Sequence, residues 1–185
     1  MTGAGAAGGG TVDRQRIHDE LEEARASFAA LVASASPEDL RRGTDGTRWS
    51  NQQLLFHLLL GHLVVRRLLW LVRVFGALPP WAGRALAAVL DAVHRPFHLV
   101  NDLGSRAGAS VVRGARLVRW FDATVDVLHR RLDGETEEAL HRRMAFPTTW
   151  DPYFRETMSL VDVYRFGFRH FEHHRRQLTL GPPQR

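Results

Sequence analysis

At 185 residues with 44% hydrophobic content, the chain is long enough for one domain with a real core, and it reads neither as a disordered chain nor as a membrane protein. All 25 basic residues are arginine, yet the net charge is only +5 because 20 acids are interleaved with them, so no dense nucleic-acid footprint is present and no nucleic-acid partner is expected. The absence of cysteine excludes disulfides, thiolate metal sites and a cysteine nucleophile, and it fits a reducing, cytoplasmic setting.

The first ten residues, MTGAGAAGGG, offer nothing to bury and read as a disordered leader (1–10), not a signal peptide. Thr11 or Asp13 can cap a first helix running to about Ala35, with Ile17, Leu21, Ala24, Phe28 and Leu31 on its inward face. SPEDLRRGTDGTR then reads as a connection rich in turn formers.

Ser50, with Gln53 three residues on, makes a capping box for a second helix reaching Phe75. This helix is strongly apolar, but His57, His62, Arg66, Arg67 and Arg73 argue against a transmembrane segment. His57 and Arg66 are nine residues apart, about 180° around a helix, so His57 points inward with Gly61, Val64, Leu68 and Phe75. His62 falls near the arginine side and is expected to face outward. A lone inward His also fits a satisfied core residue, although Gly61, one turn on, leaves room beside it.

Pro79-Pro80 breaks this helix, and Trp81 to Val93 can form a short amphipathic helix that Pro96 ends. Residues 78–105 are thus an insertion whose apolar positions Leu86, Val89, Leu90, Val93 and Phe97 suit core, a lid, an interfacial anchor or a homodimer face. His94 and His98 are spaced i,i+4, but Pro96 between them argues against a helical ligand pair. A further helix is expected from about Ser110 to Leu132, with Val111, Gly114, Val118, Phe121, Val125, Leu128 and Leu132 as its stripe. Asp122 flanks that stripe as a candidate ligand, ligand-orienting partner or general base, or simply a boundary residue in a surface ion pair.

DGETEE opens a short acidic helix start, and HRRMAFPTTWDPYF reads as a long crossing loop. Ser159 and Asp162 make a second capping box at the start of the last helix. There His170 and His174 lie one turn apart on one face, Gly167 precedes them by one turn, and Gln177 follows. Two imidazoles at i and i+4 form half of a metal site, although in a chain with ten His one such pair carries little weight alone. With His57 as third ligand, the site would leave one coordination position open. GPPQR (181–185) is a frayed tail. Four main helices with inward stripes, no strand-like alternation and one crossover loop give an all-α four-helix bundle over residues 11–180.

Trp49-Ser50 through His57 (W-S-x6-H) and His170 through Gln177 (H-x3-H-R-x-Q) resemble the DinB-like superfamily over roughly Arg14–Leu180. FPTTWDPYF is similar to a longer, actinobacterial-style branch, and the insertion departs from shorter members. The resemblance implies a bundle holding a divalent metal through one His of the second helix and two of the last, here His57, His170 and His174. It further implies thiol-dependent transferases or isomerases using mycothiol, bacillithiol or glutathione, or metal-dependent hydrolases, acting on a small-molecule substrate. Some relatives have no shown activity, so a non-catalytic metal- or ligand-binding bundle and a helical interaction module stay beside the enzyme reading. Zn or Ni is the expected metal, with Fe or Mn as alternatives; imidazole itself suits Zn, Ni, Fe or Cu, and nothing in the chain chooses between them. Gln177, Asp122, Gly61 and Gly167 are candidate contacts to ligands or substrate.

Overall fold

A computed structural model describes residues 11–181; the leader expected over residues 1–10, and residues 182–185 of the expected tail, lie outside the described residues. Four long helices, α1 (Arg14–Ser34), α3 (Asn51–Phe75), α6 (Gly114–Asp133) and α8 (Leu160–Arg175), form an all-α bundle. α3 packs on α8 and α6, and α1 closes the square against the same two helices. The core between them includes Phe28, Phe121 and Phe171, with the first two rings stacked at 4.1 Å.

Local chemistry sets the boundaries. The Asp13 side chain accepts from the Arg16 amide and starts α1; Ile17, Leu21, Ala24 and Phe28 are buried as expected, while Leu31 is half-buried. Reciprocal Ser50–Gln53 and Ser159–Asp162 capping boxes open α3 and α8. The connection between α1 and α3 contains a further capped turn, α2 (Pro37–Arg41), with its own Ser36–Asp39 box. The buried Asn51 side chain donates to Asp39 O (2.8 Å) and accepts from Thr179 N (3.0 Å), which pins the chain after α8 onto the start of α3.

The insertion differs from expectation. It is two helices, α4 (Pro80–Ala92) and α5 (His94–Val111), and α5 lies along α3 as a further wall of the bundle. Pro96 does not end a helix; it occupies the first turn of α5, where backbone N–H groups have no intrahelical acceptor and proline is tolerated. α5 then runs through Ser110 to Val111, the break falls at Val112–Arg113, and α6 starts at Gly114, whose φ of +50° is in the left-handed region that favours glycine. Val111, expected inside, is 67% exposed at the end of α5. α4 buries Ala82, Gly83 and Ala87, whereas Val89 and Val93 face outward.

After α6, Thr136 caps the short α7 (Glu137–His141). The crossing loop is not wholly irregular. Its two ends pair as β1 (Arg143–Ala145) and β2 (Thr157–Ser159), antiparallel, with buried Met144 opposite buried Met158. Three residues are too few for alternation to show in the sequence.

α3 is long and apolar enough to span a membrane, with hydropathy 1.6 over its most apolar window, but 61% of that window is buried inside the bundle. This burial also corrects the reading of His62. Its side chain is 1% exposed and packs against Phe121 with ring centroids 4.5 Å apart. The face of α3 that reaches solvent at Arg67 and Trp70 is sealed by α6 one turn earlier.

Candidate metal centre

His57 on α3 and His170 and His174 on α8 meet at one end of the α3–α8 interface, each offering a ring nitrogen within 4.8 Å of the others. Helical spacing brings the α8 pair together, and the α3–α8 contact brings His57 to them. Gly61 makes the approach close: a Cβ there would lie 2.8 Å from Nδ1 and Cε1 of His170. Gly167 serves packing, since a Cβ there would sit 3.2 Å from Val65 on α3.

The rings are held from behind. His174 Nδ1 donates to Gln177 Oε1 at 2.7 Å, and His57 Nδ1 lies 3.3 Å from the hydroxyl of fully buried Ser105 on α5. Both bonds leave Nε2 as the free ligand atom, the usual arrangement behind a metal-binding imidazole. The electrostatics agree. Burial, with His174 alongside, lowers the His57 pKa to about 3. Burial and the neighbouring imidazoles hold His170 well below the ordinary range, and burial lowers His174 despite its bond to Gln177. At neutral pH all three are uncharged, with lone pairs available, and the donor set fits a divalent ion.

A cavity of about 240 Å³ opens beside the three rings. Val64, Phe97, Trp150, Phe154 and Phe166 give it an apolar, largely aromatic wall; Asn101, His98 and Asp151 supply polar groups. Trp49 leans on His57 at 4.5 Å between centroids, and its indole N–H donates to Asp102 on α5 at 2.6 Å. Asp151 Oδ2 lies 3.8 Å from His170 Nε2, and burial raises the Asp151 pKa.

Sequence reasoning missed Asp151, Asn101 and His98. Pro96 argues against a helical His94–His98 pair, but as a first-turn residue of α5 it leaves His98 on a helix that lines the cavity, and Asp151 sits in the crossing loop, where no periodicity aims a side chain. The only signal for it was its place within FPTTWDPYF. His94 stays outside the cavity, its Nδ1 2.7 Å from Asp91 O. Asp122 is half-exposed on α6 and does not line the cavity. Gln177 acts on His174 from behind and is likewise not a lining residue.

A helical bundle with three inward, neutral imidazoles beside an open cavity defines a class of candidate mononuclear metal proteins. The family model of the DinB superfamily matches residues 20–178, and the chain belongs to that superfamily. Among curated proteins and solved structures, none matches the chain.

Proposed function

We propose that the protein binds one divalent metal, Zn or Ni before Fe or Mn, through His57, His170 and His174, and is a cytoplasmic enzyme that activates a low-molecular-weight thiol. The observation that carries this reading is the open side of the three-imidazole cluster, which faces a cavity; among the described residues no fourth side chain joins the three rings as a ligand. When bound there, a divalent ion lowers the pKa of a thiol or water held at the open position.

The chain's own residues divide the remaining tasks. Ser105 and Gln177 orient two of the imidazoles. The Asp151 carboxylate, 3.8 Å from His170, is placed to accept the proton that the nucleophile loses. The aromatic wall takes the apolar part of a small-molecule substrate and excludes water from it. Without cysteine, the sulfur nucleophile has to come from outside, as mycothiol, bacillithiol or glutathione. S-transfer or isomerisation is then the reaction class.

Hydrolysis is the second reading, favoured by the same Asp151, which is equally placed to serve water. A metal- or ligand-binding bundle without chemistry is the third. The test is a cobalt-substituted sample titrated with the three thiols. A sulfur-to-metal charge-transfer band supports the thiol reading. Absence of any spectral change at millimolar thiol removes it and leaves hydrolysis or binding.

A further inference from the structure

Away from the three-histidine cavity, Arg66 and Arg67 on α3 and Arg131 near the end of α6 converge around Trp70, and these four side chains line a pocket of about 200 Å³. The two cavities share no lining residue. Arg66 is nine residues beyond His57, about 180° around α3, so the arginine pocket opens on the opposite face of that helix.

The spacing within α3 explains half of the cluster. Trp70 follows Arg66 and Arg67 by four and three residues, so all three share one face. Arg131 comes from α6, and its guanidinium donates to the backbone carbonyl of Arg66 at 2.9 Å, which fixes it over α3.

Among the described residues no carboxylate lines this pocket and none of the three arginines is in an ion pair. About two turns along α3, by contrast, Arg73 is neutralised by Glu135. Three like charges held together without a counter-ion repel, and partial burial adds to that cost. The Arg66 pKa is lowered accordingly, by burial first and then by Arg131 and Arg67. Arginine forks bind planar and tetrahedral oxyanions through paired N–H donors. A single carboxylate is satisfied by one fork, whereas a phosphate monoester presents three oxygens and close to two negative charges to three forks. Trp70, 56% exposed at the rim, supplies an apolar surface for the rest of such a ligand.

We propose that Arg66, Arg67 and Arg131 form a binding site for a phosphate monoester, with Trp70 contacting the organic part of the ligand. The phosphoryl group neutralises the three guanidinium groups, and the indole discriminates in favour of a ligand with a flat or apolar body.

Isothermal titration calorimetry at physiological ionic strength tests this with phenyl phosphate, inorganic phosphate and benzoate. Phenyl phosphate should bind most tightly, inorganic phosphate more weakly, and benzoate not measurably. Arg67→Gln, at an exposed position, and Arg131→Gln should each weaken phenyl phosphate about tenfold or more, in keeping with loss of a charge-assisted pair. Trp70→Ala should reduce phenyl phosphate to the level of inorganic phosphate and leave inorganic phosphate unchanged. A parallel arm uses phosphatidylcholine vesicles with and without phosphatidic acid. Retention that requires phosphatidic acid and is lost in Arg67→Gln supports the site with a lipid headgroup as the source of the phosphate. Binding of phenyl phosphate with no vesicle retention supports it with a soluble ligand. If neither phosphate compound binds and phosphatidic acid retains nothing, the proposal is overturned. It is equally overturned if Arg67→Gln and Arg131→Gln both bind as the wild type does.

Discussion

Gly61 on α3 lies against the imidazole of His170 on α8 so closely that a Cβ at position 61 would stand 2.8 Å from two ring atoms. The glycine therefore sets where a ligand ring can sit. Gly61→Ala should push His170 out of the cluster and weaken metal affinity roughly 10–100-fold, the range seen when groups that orient ligands are lost. Fold stability should change little, because alanine gains about 1 kcal/mol of helix propensity over glycine and offsets part of the strain. Competition against a chromogenic chelator reads the affinity, and thermal unfolding of the metal-free protein reads the fold. Unchanged affinity would mean that the close contact has no bearing on the site.

The purified protein should carry about one divalent ion per chain, by the logic of a three-ligand site with an open position. His57→Ala, His170→Ala and His174→Ala should each remove most of it. His94→Ala should keep the metal, since His94 caps a neighbouring carbonyl outside the cavity. Plasma emission analysis of all four variants decides. A triple His57/His170/His174 variant as metal-loaded as the wild type would place the ion elsewhere.

How far the sequence disclosed this arrangement depends on how local each cause was. Ser50 with Gln53, and Ser159 with Asp162, announce helix starts because a capping box is complete within four residues. The inward direction of His57, His170 and His174 follows from helical angles alone. His62 obeys the same angles but is buried, because α6 covers a face that the helix by itself would leave open. Pro96 has two meanings, helix end or first turn, and only the packing of α5 against α3 selects the second. Asp151 and His98 reach the cavity through a loop and an insertion whose paths are set by tertiary contacts, such as the bond from the Trp150 indole to Leu90 O.

His62 also gives the protein an acid-sensitive core. Burial lowers its pKa from 6.5 to about 4, and among the described residues its Nε2 has no hydrogen-bond partner. The unfolded chain takes up the proton first as pH falls. Stability is therefore full above about 6.5 and declines through the window down to about 4, on the order of 3 kcal/mol for this one group. His57, His170 and His174 pull in the same direction when no metal is bound. His62→Leu should leave metal binding intact and flatten the pH dependence of stability by His62's share. Urea unfolding of both metal-free proteins at pH 7.5 and pH 5 measures it. An equally steep decline in the variant would show that His62 does not titrate in this window.

Trp150 holds the crossing loop over the metal-side cavity. Its ring stacks on Phe97 of α5 with centroids 3.7 Å apart and planes at 15°, and its indole N–H donates to Leu90 O of α4 at 2.9 Å. One side chain thus ties the loop that carries Asp151 to both helices of the insertion. Trp150→Ala removes the stack, the hydrogen bond and part of the apolar wall. Global stability should fall by only about 1–3 kcal/mol, less than for a core aromatic, because Trp150 is half-buried. The local effect should be larger. The loop should open more often, and trypsin should cut after exposed Arg155 at least several-fold faster, since local opening governs cleavage there. Metal content should stay at the wild-type level, because none of the three imidazoles is held by Trp150. Phe97→Leu keeps the wall apolar but loses the stack, and should give an intermediate cleavage rate. If Trp150→Ala is cut no faster than the wild type, or loses its metal, Trp150 does not act as a fastening of the loop.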